Sequence, residues 1–286
     1  MTTEVTLRAP AKLNLFLRVL AREDDGYHGI ESLFCLIDLA DELKAERREG
    51  RGVSLTVGGA DCGPEEMNLA TRAARMVLDA TGNPCAVHLT LTKRIPIQAG
   101  LGGGSSDAAA ALTAVNQLVN NAVPRHELLQ FAARLGSDVP FFLSGGSLAL
   151  CWGHGERMLR LPPLPASPGL LLIPPIGIST PEAYRQVDAG RHGSAKRGAV
   201  AMDLDTLGGW GNVARLGGND FEFALFGRHP ELKQGFEALA ATHPLLCRMT
   251  GSGSGLFAIY RNTRDREDAR MQLSPRLGRA LTFETQ

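Results

Sequence analysis

Apolar and polar positions recur along this chain with two periods. Val87, Leu89 and Leu91 alternate with His88, Thr90 and Thr92, which predicts a strand with one buried face. Residues 5–20 read the same way, with Lys12 and Asn14 on one face and Leu13, Leu15 and Leu17 on the other. A lysine and an amide at that spacing ordinarily mark the solvated side of a sheet. Residues 32–39 and 170–173 are apolar strand candidates, whereas the charged run 41–52 reads as loop or edge. Glycines at 145, 146, 153 and 155 punctuate a hairpin through residues 147–161. Spacings of three and four predict helices over 68–81, 108–119, 125–135 and 230–241, and a charged, solvated helix within 261–272. Pro181 suits the first turn of another helix, and Asn219 to Glu222 a capped helix start. Residues 188–218, rich in Gly, Ala and Arg, carry the least pattern and read as loop and short helix.

Composition narrows the class. A chain of 286 residues can bury a full core as one large or two modest domains. The proline cluster at 162, 163, 165 and 168 places the boundary there, dividing residues 1–160 from 161–286. A formal charge of zero provides no overall field for nucleic acid or an anionic membrane. Five cysteines, at 35, 62, 85, 151 and 247, are too scattered for a metal knuckle and suit reduced thiols. Glu4 and Arg8 stand where an export signal needs an apolar run. The longest apolar stretch, 169–178, contains two prolines and is too short for a bilayer. The expectation is a cytoplasmic enzyme.

The chemistry begins after the strand at 87–91. Four glycines in the five positions 100–104 give a backbone free to take positive φ and to approach a ligand closely. Ser105, Ser106 and Asp107 then offer capping oxygens to a helix that starts in Ala108–Ala111. Strand, glycine loop and helix N-terminus together predict a phosphate site. It is not a Walker loop, because Ser105 replaces the required lysine, and Ser105 also breaks the dinucleotide pattern counted from Gly100. Protein-kinase signatures are absent.

Three further stretches combine polar groups with turn signals. Asp25-Gly26 predicts a hairpin turn followed by Tyr27 and His28, which either pack or face a ligand. Asp138, in Gly136-Ser137-Asp138-Val139-Pro140-Phe141-Phe142, suits a helix cap and equally suits a partly desolvated base that accepts a hydroxyl proton. Thr250-Gly251-Ser252-Gly253 is a second glycine-rich turn that runs into a strand, with Leu256, Ala258 and Tyr260 on one face and Phe257 and Ile259 on the other.

The segment Pro96-Ile97-Gln98-Ala99-Gly100-Leu101-Gly102-Gly103-Gly104-Ser105-Ser106 resembles the ATP-binding loop of the GHMP kinases, the small-molecule kinases that include galactokinase, homoserine kinase and mevalonate kinase. Pro10-Ala11-Lys12-Leu13-Asn14-Leu15, Asp25 to His28, Gly136 to Phe142 and Thr250 to Phe257 are similar to the branch of that family whose substrate carries a cytidine diphosphate. These motifs reach from residue 10 to residue 257. The resemblance implies an α+β fold of two lobes flanking a cleft, a ribosomal-S5-domain-2-like lobe and then a ferredoxin-like α/β lobe. It implies ATP on residues 96–106, magnesium with Ser106 as a candidate ligand, Lys12 and Asp138 as the catalytic pair, and Asp138 as the base. Asn14, Tyr27, His28, Thr180, Tyr184, Thr250, Gly251 and Ser252 become substrate contacts, with Tyr184 stacked on the cytosine. The implied reaction phosphorylates the 2-hydroxyl of a diphosphocytidyl methylerythritol in the mevalonate-independent isoprenoid route, carried out by a monomer or homodimer with no nucleic-acid or membrane partner. Two rivals stand beside it. A homoserine- or mevalonate-type kinase would share the loops without using Tyr27, His28 and Tyr184. Against a non-catalytic nucleotide-binding or RNA-binding module stand the neutral pI and the paired Lys12 and Asp138, since binding to nucleic acid normally shows a basic patch.

Overall fold

In the computed structural model, residues 2–24, 26–190, 202–205 and 207–286 are described. Two long strands organise the first half. β1 (Glu4–Arg22) runs antiparallel to β2 (His28–Arg48) along nearly its whole length, and β2 continues into pairing with β4 (Ala86–Thr92), which lies parallel to β3 (Gly52–Gly58). On its N-terminal half β2 pairs with β5 (Leu148–Gly153), which continues to β6 (Arg157–Leu161). Helices α1 (Leu69–Ala80), α2 (Gly103–Leu118), α3 (Arg125–Leu135) and the single turn α4 (Val139–Leu143) pack beside these strands. The alanines of α2 explain the close fit, since Ala108, Ala109 and Ala111 let its backbone approach Leu43, Ala45 and Leu89 of the sheet.

A second, antiparallel sheet has the order β10 (Arg279–Glu284), β7 (Pro168–Ile173), β9 (Leu256–Ile259), β8 (Leu246–Met249). Its alternation assigns the layers. Leu171, Phe257 and Ile259 join Leu13, Leu15 and Leu33 in a core between the two sheets, while Leu170, Leu172, Leu256 and Ala258 face the outer helices. Those helices are α5 (Thr180–Gly190), α7 (Asp220–Phe226), α8 (Pro230–Ala240) and α9 (Thr263–Gln272), whereas the short α6 (Trp210–Val213) buries Trp210 and Val213 in the inter-sheet core. Among the described residues no helix is long and apolar enough to cross a membrane.

Two strand expectations change. The charged run at 41–52 is strand as far as Arg48, because Leu43 and Ala45 face the core while Glu42, Lys44 and Glu46 point outward and β1 and β4 bond both edges. Charge at Asp41 and Arg47, which share the parity of Leu43 and Ala45, obscured the period-two pattern. The Lys12–Asn14 face is not solvated: both residues are buried, at 3% and 1% exposure. Register shifts between Pro10 and Lys12 and between Asn14 and Phe16 bend β1 at this point. The second shift breaks the parity read from sequence, so that Leu13, Leu15 and Phe16 all enter the inter-sheet core while Leu17 joins the outer one.

Candidate active site

The phosphate loop ends on Gly102, whose φ of +70° is the left-handed conformation, and α2 begins at the next residue with no side chain capping it. Ser105, Ser106 and Asp107 therefore lie inside the helix and are not its caps. Glycine turns the chain by itself, which leaves first-turn N–H groups and the positive end of a 16-residue helix open toward the loop. Asp107 is used instead to anchor α2. Lys93 reaches both Asp107 (2.7 Å) and Asp41, and the other oxygen of Asp41 accepts the backbone N–H groups of Arg94 and Ile95. Two buried carboxylates thus share one ammonium. Burial opposes the Lys93 charge, but Asp107 and Asp41 outweigh it and raise its pKa. Asp107, with one oxygen unpartnered, is the carboxyl that burial drives upward, and the charge of Asp41 adds to the shift.

At the floor of the neighbouring cleft, Lys12 Nζ lies 3.3 Å from Asp138 Oδ2 and donates to Asn14 Oδ1 at 2.6 Å. Asp138 occupies the position before α4, yet its carboxylate makes no capping bond there. It is the more open partner, 28% exposed against 4% for the Lys12 side chain. The Lys12 backbone N–H bonds to Leu101 of the phosphate loop at 3.0 Å, which ties the ammonium to that loop.

The second glycine turn meets the first directly. A Cβ on Gly100 would overlap the Thr250 carbonyl oxygen, and one on Gly251 would come within 2.9 Å of the Gly100 oxygen. Both glycines have positive φ, +74° and +57°. Thr250 joins the two turns, its Oγ1 donating to Gly100 O at 3.2 Å, while Asn14 holds the second turn, its Oδ1 accepting from Gly251 N at 2.8 Å. Asn14 Nδ2 in turn donates to Ser32 Oγ, so every polar atom of this amide is engaged by protein. Asn219 caps α7 as expected and also holds the second turn, donating to Met249 O and Gly251 O.

From this floor an open cleft of about 820 Å³ extends to an aromatic end. Tyr184 stacks on His28 with centroids 5.0 Å apart and packs edge-on against Phe221, while the exposed Tyr27 stacks on His154. Burial, with a smaller contribution from Asp138, pushes the Tyr184 phenol up to about 12, so it stays neutral. Burial likewise pushes the Cys151 thiol, near the same carboxylate, up to about 12.

Most of the residues singled out in the sequence converge here. Lys12, Asn14, Tyr27, His28, Asp138 and Tyr184 line the cleft, and Gly100, Gly102, Thr180, Gly251 and Ser252 complete its sides. Thr180 and Ser252 bond to each other at 2.9 Å, and Thr250 is buried behind the wall. Pro96 to Ala99, Leu101 and Gly103 to Ser106 are outside this cleft, along the loop and the start of α2. Asp25 and residues 191–201 lie outside the described residues. The sequence reading missed Ser32, Asp41, Lys93 and Asp188. A small polar residue opening the apolar run 32–39 was the available signal for Ser32 alone.

Comparisons with known proteins show the family. Residues 68–146 match the family described as GHMP kinases N terminal domain. The chain is 39% identical over 266 residues to the 4-diphosphocytidyl-2-C-methyl-D-erythritol kinase of Pelotomaculum thermopropionicum, covering 93% of this chain and 91% of that one. It is 36% identical over 271 residues to the protein of that name from Carboxydothermus hydrogenoformans, covering 93% and 92%. A crystal structure of 4-(cytidine 5'-diphospho)-2C-methyl-D-erythritol kinase superposes with a TM-score of 0.82 at 35% identity, over 98% of this chain and 99% of that one. Homoserine kinase from Cytophaga hutchinsonii shares the fold, with a TM-score of 0.75 at 20% identity over 100% and 95% of the two chains.

Proposed function

The chain belongs to the 4-diphosphocytidyl-2-C-methyl-D-erythritol kinases, a branch of the GHMP kinases, and on that footing we propose how its cleft carries out the transfer. It is an ATP-dependent phosphotransferase that phosphorylates the 2-hydroxyl of 4-diphosphocytidyl-2-C-methyl-D-erythritol in the mevalonate-independent route to isoprenoid precursors.

ATP lies with its phosphates along residues 96–106, where the uncapped start of α2 offers N–H groups to an anion. The substrate occupies the cleft with its cytosine among Tyr27, His28 and Tyr184 and its reacting hydroxyl at the Lys12–Asp138 pair. Asp138 accepts the hydroxyl proton, and the Lys12 ammonium faces the negative charge that develops on that oxygen. The observation that carries this reading is the 3.3 Å pairing of a buried lysine with a more open aspartate on the cleft floor, beside the phosphate loop.

Magnesium suits the start of α2, beside the phosphate loop. Ser106 Oγ and Asp107 Oδ1, on the first turns of α2, are buried oxygens without a hydrogen-bond partner, and Ser106 is the protein oxygen we assign to the ion. Bound there with ATP, it supplies neutralisation of the transferring phosphoryl charge. Residues 1–160 form the ATP-binding lobe and residues 161–286 the substrate lobe, a division supported by the break between the two sheets after β6. Five free cysteines support a cytoplasmic location.

The test is ADP release from ATP and magnesium in the presence of 4-diphosphocytidyl-2-C-methyl-D-erythritol, homoserine or mevalonate. Release is expected with the cytidyl substrate alone. Release with another alcohol would leave the fold and loops standing and remove the cytidine assignment.

A further inference from the structure

Helix α5 holds His28 at two points. Tyr184 and Asp188 are four residues apart on one face of that helix, so both reach the same neighbour. Tyr184 stacks on the imidazole at 5.0 Å with planes 18° apart, and Asp188 Oδ1 lies 2.7 Å from His28 Nε2. The His28 side chain is 4% exposed, whereas the carboxylate is 37% exposed at the cleft wall. An ionised carboxylate only accepts hydrogen bonds, so in the neutral ring the proton resides on Nε2 and Nδ1 is left as an acceptor.

We propose that Asp188 is a specificity-determining positioning residue that acts through His28: by fixing the Nε2–H tautomer and the ring plane, it makes the imidazole an acceptor for a base that presents an N–H. This rests on the assignment of the cleft to a cytidyl substrate. The exocyclic amine of cytosine is a donor and meets that acceptor. Uracil places a carbonyl oxygen at the same position, which sets two acceptors against each other. A site built around a buried hydrogen bond rejects the analogue that cannot form it. Tyr184, by contrast, offers a ring face that every pyrimidine can use and does not distinguish the two bases. Asp188 touches no reacting atom, so its effect belongs in binding and not in the transfer step.

Binding of CDP and UDP to the full-length chain, measured by calorimetry, tests the proposal. The wild-type protein is expected to favour CDP by roughly tenfold or more. In Asp188→Asn the amide presents either an acceptor or a donor to Nε2, both tautomers become available, and the CDP/UDP ratio should fall toward one. A merely structural role would weaken both ligands together and leave the ratio unchanged, which would overturn the proposal. Asp188→Glu, which restores an obligate acceptor, should recover part of the ratio. Nitrogen-15 NMR of the unliganded protein gives a second reading, with His28→Gln identifying the resonances. The Nε2–H tautomer is expected, and an Nδ1–H tautomer would overturn the proposal whatever the substrate. Turnover of the cytidyl substrate by the wild-type protein separates the two levels. Its absence removes the functional assignment, whereas normal turnover with an Asp188→Asn ratio equal to wild type removes only the role of Asp188.

Discussion

Lys12 Nζ is closer to Asn14 Oδ1, at 2.6 Å, than to Asp138, at 3.3 Å. The amide therefore places the ammonium, and the carboxylate remains the more open partner. Asn14→Ala removes this bond and leaves Gly251 N without its acceptor. Steady-state kinetics should show kcat lowered by roughly tenfold to a hundredfold, and denaturation a stability loss of about 1–3 kcal/mol. Unchanged kcat would mean that Lys12 holds its place without Asn14.

Asp138→Asn keeps the shape of the side chain and removes the base. Turnover should fall by roughly a hundredfold to ten-thousandfold while the circular dichroism spectrum is retained. Lys12→Ala should do the same through loss of charge at the reacting oxygen. A variant of either residue with near wild-type turnover would take that residue out of the mechanism.

Gly100→Ala forces a side chain into the Thr250 carbonyl at a φ of +74°. The two glycine turns must separate, at a cost of about 1–3 kcal/mol in stability. A weaker ATP affinity should accompany it in a nucleotide titration. Wild-type melting temperature and ATP binding together would show that the turns tolerate separation.

The Asp107 carboxyl, raised above its ordinary 3.8 chiefly by burial, makes the native chain hold a proton that the unfolded chain releases. Its contribution to stability is therefore lost as pH rises from about 3.8 toward about 7 and is constant above that. Asp107→Asn carries no such slope. In denaturant titrations at stepped pH, the stability of the variant relative to wild type should rise across this window and then level off. A difference independent of pH would contradict the raised carboxyl.

The glycine loop, the helices and both strand faces of β9 were legible in the sequence because each rests on local pattern: period, turn residues, a proline or glycine at a fixed offset. Lys12, Asp138, Tyr184 and the second glycine turn could be listed as candidates, but only the resemblance to a family joined them into a site. The buried state of Lys12 and Asn14 was not legible, because it depends on a second sheet packing over a face that looked polar. Asp41 and Lys93, 52 residues apart, illustrate the same limit. Each looks like ordinary surface charge until the partner is known. Asp188 lay at the edge of the least patterned segment, and nothing local linked it to His28, 160 positions earlier.

The interlocked glycine turns also set an order of events during synthesis. Gly100 and Thr250 are 150 residues apart, and a ribosome that has delivered the first sheet and its helices has not yet made the second turn. The core of that first sheet can close on the nascent chain, because its strands and α1 to α4 are already present. Its phosphate loop cannot settle until Thr250 and Gly251 have emerged. Catalytic competence therefore arrives late in translation, and a stalled or truncated chain can be compact without ever being an enzyme.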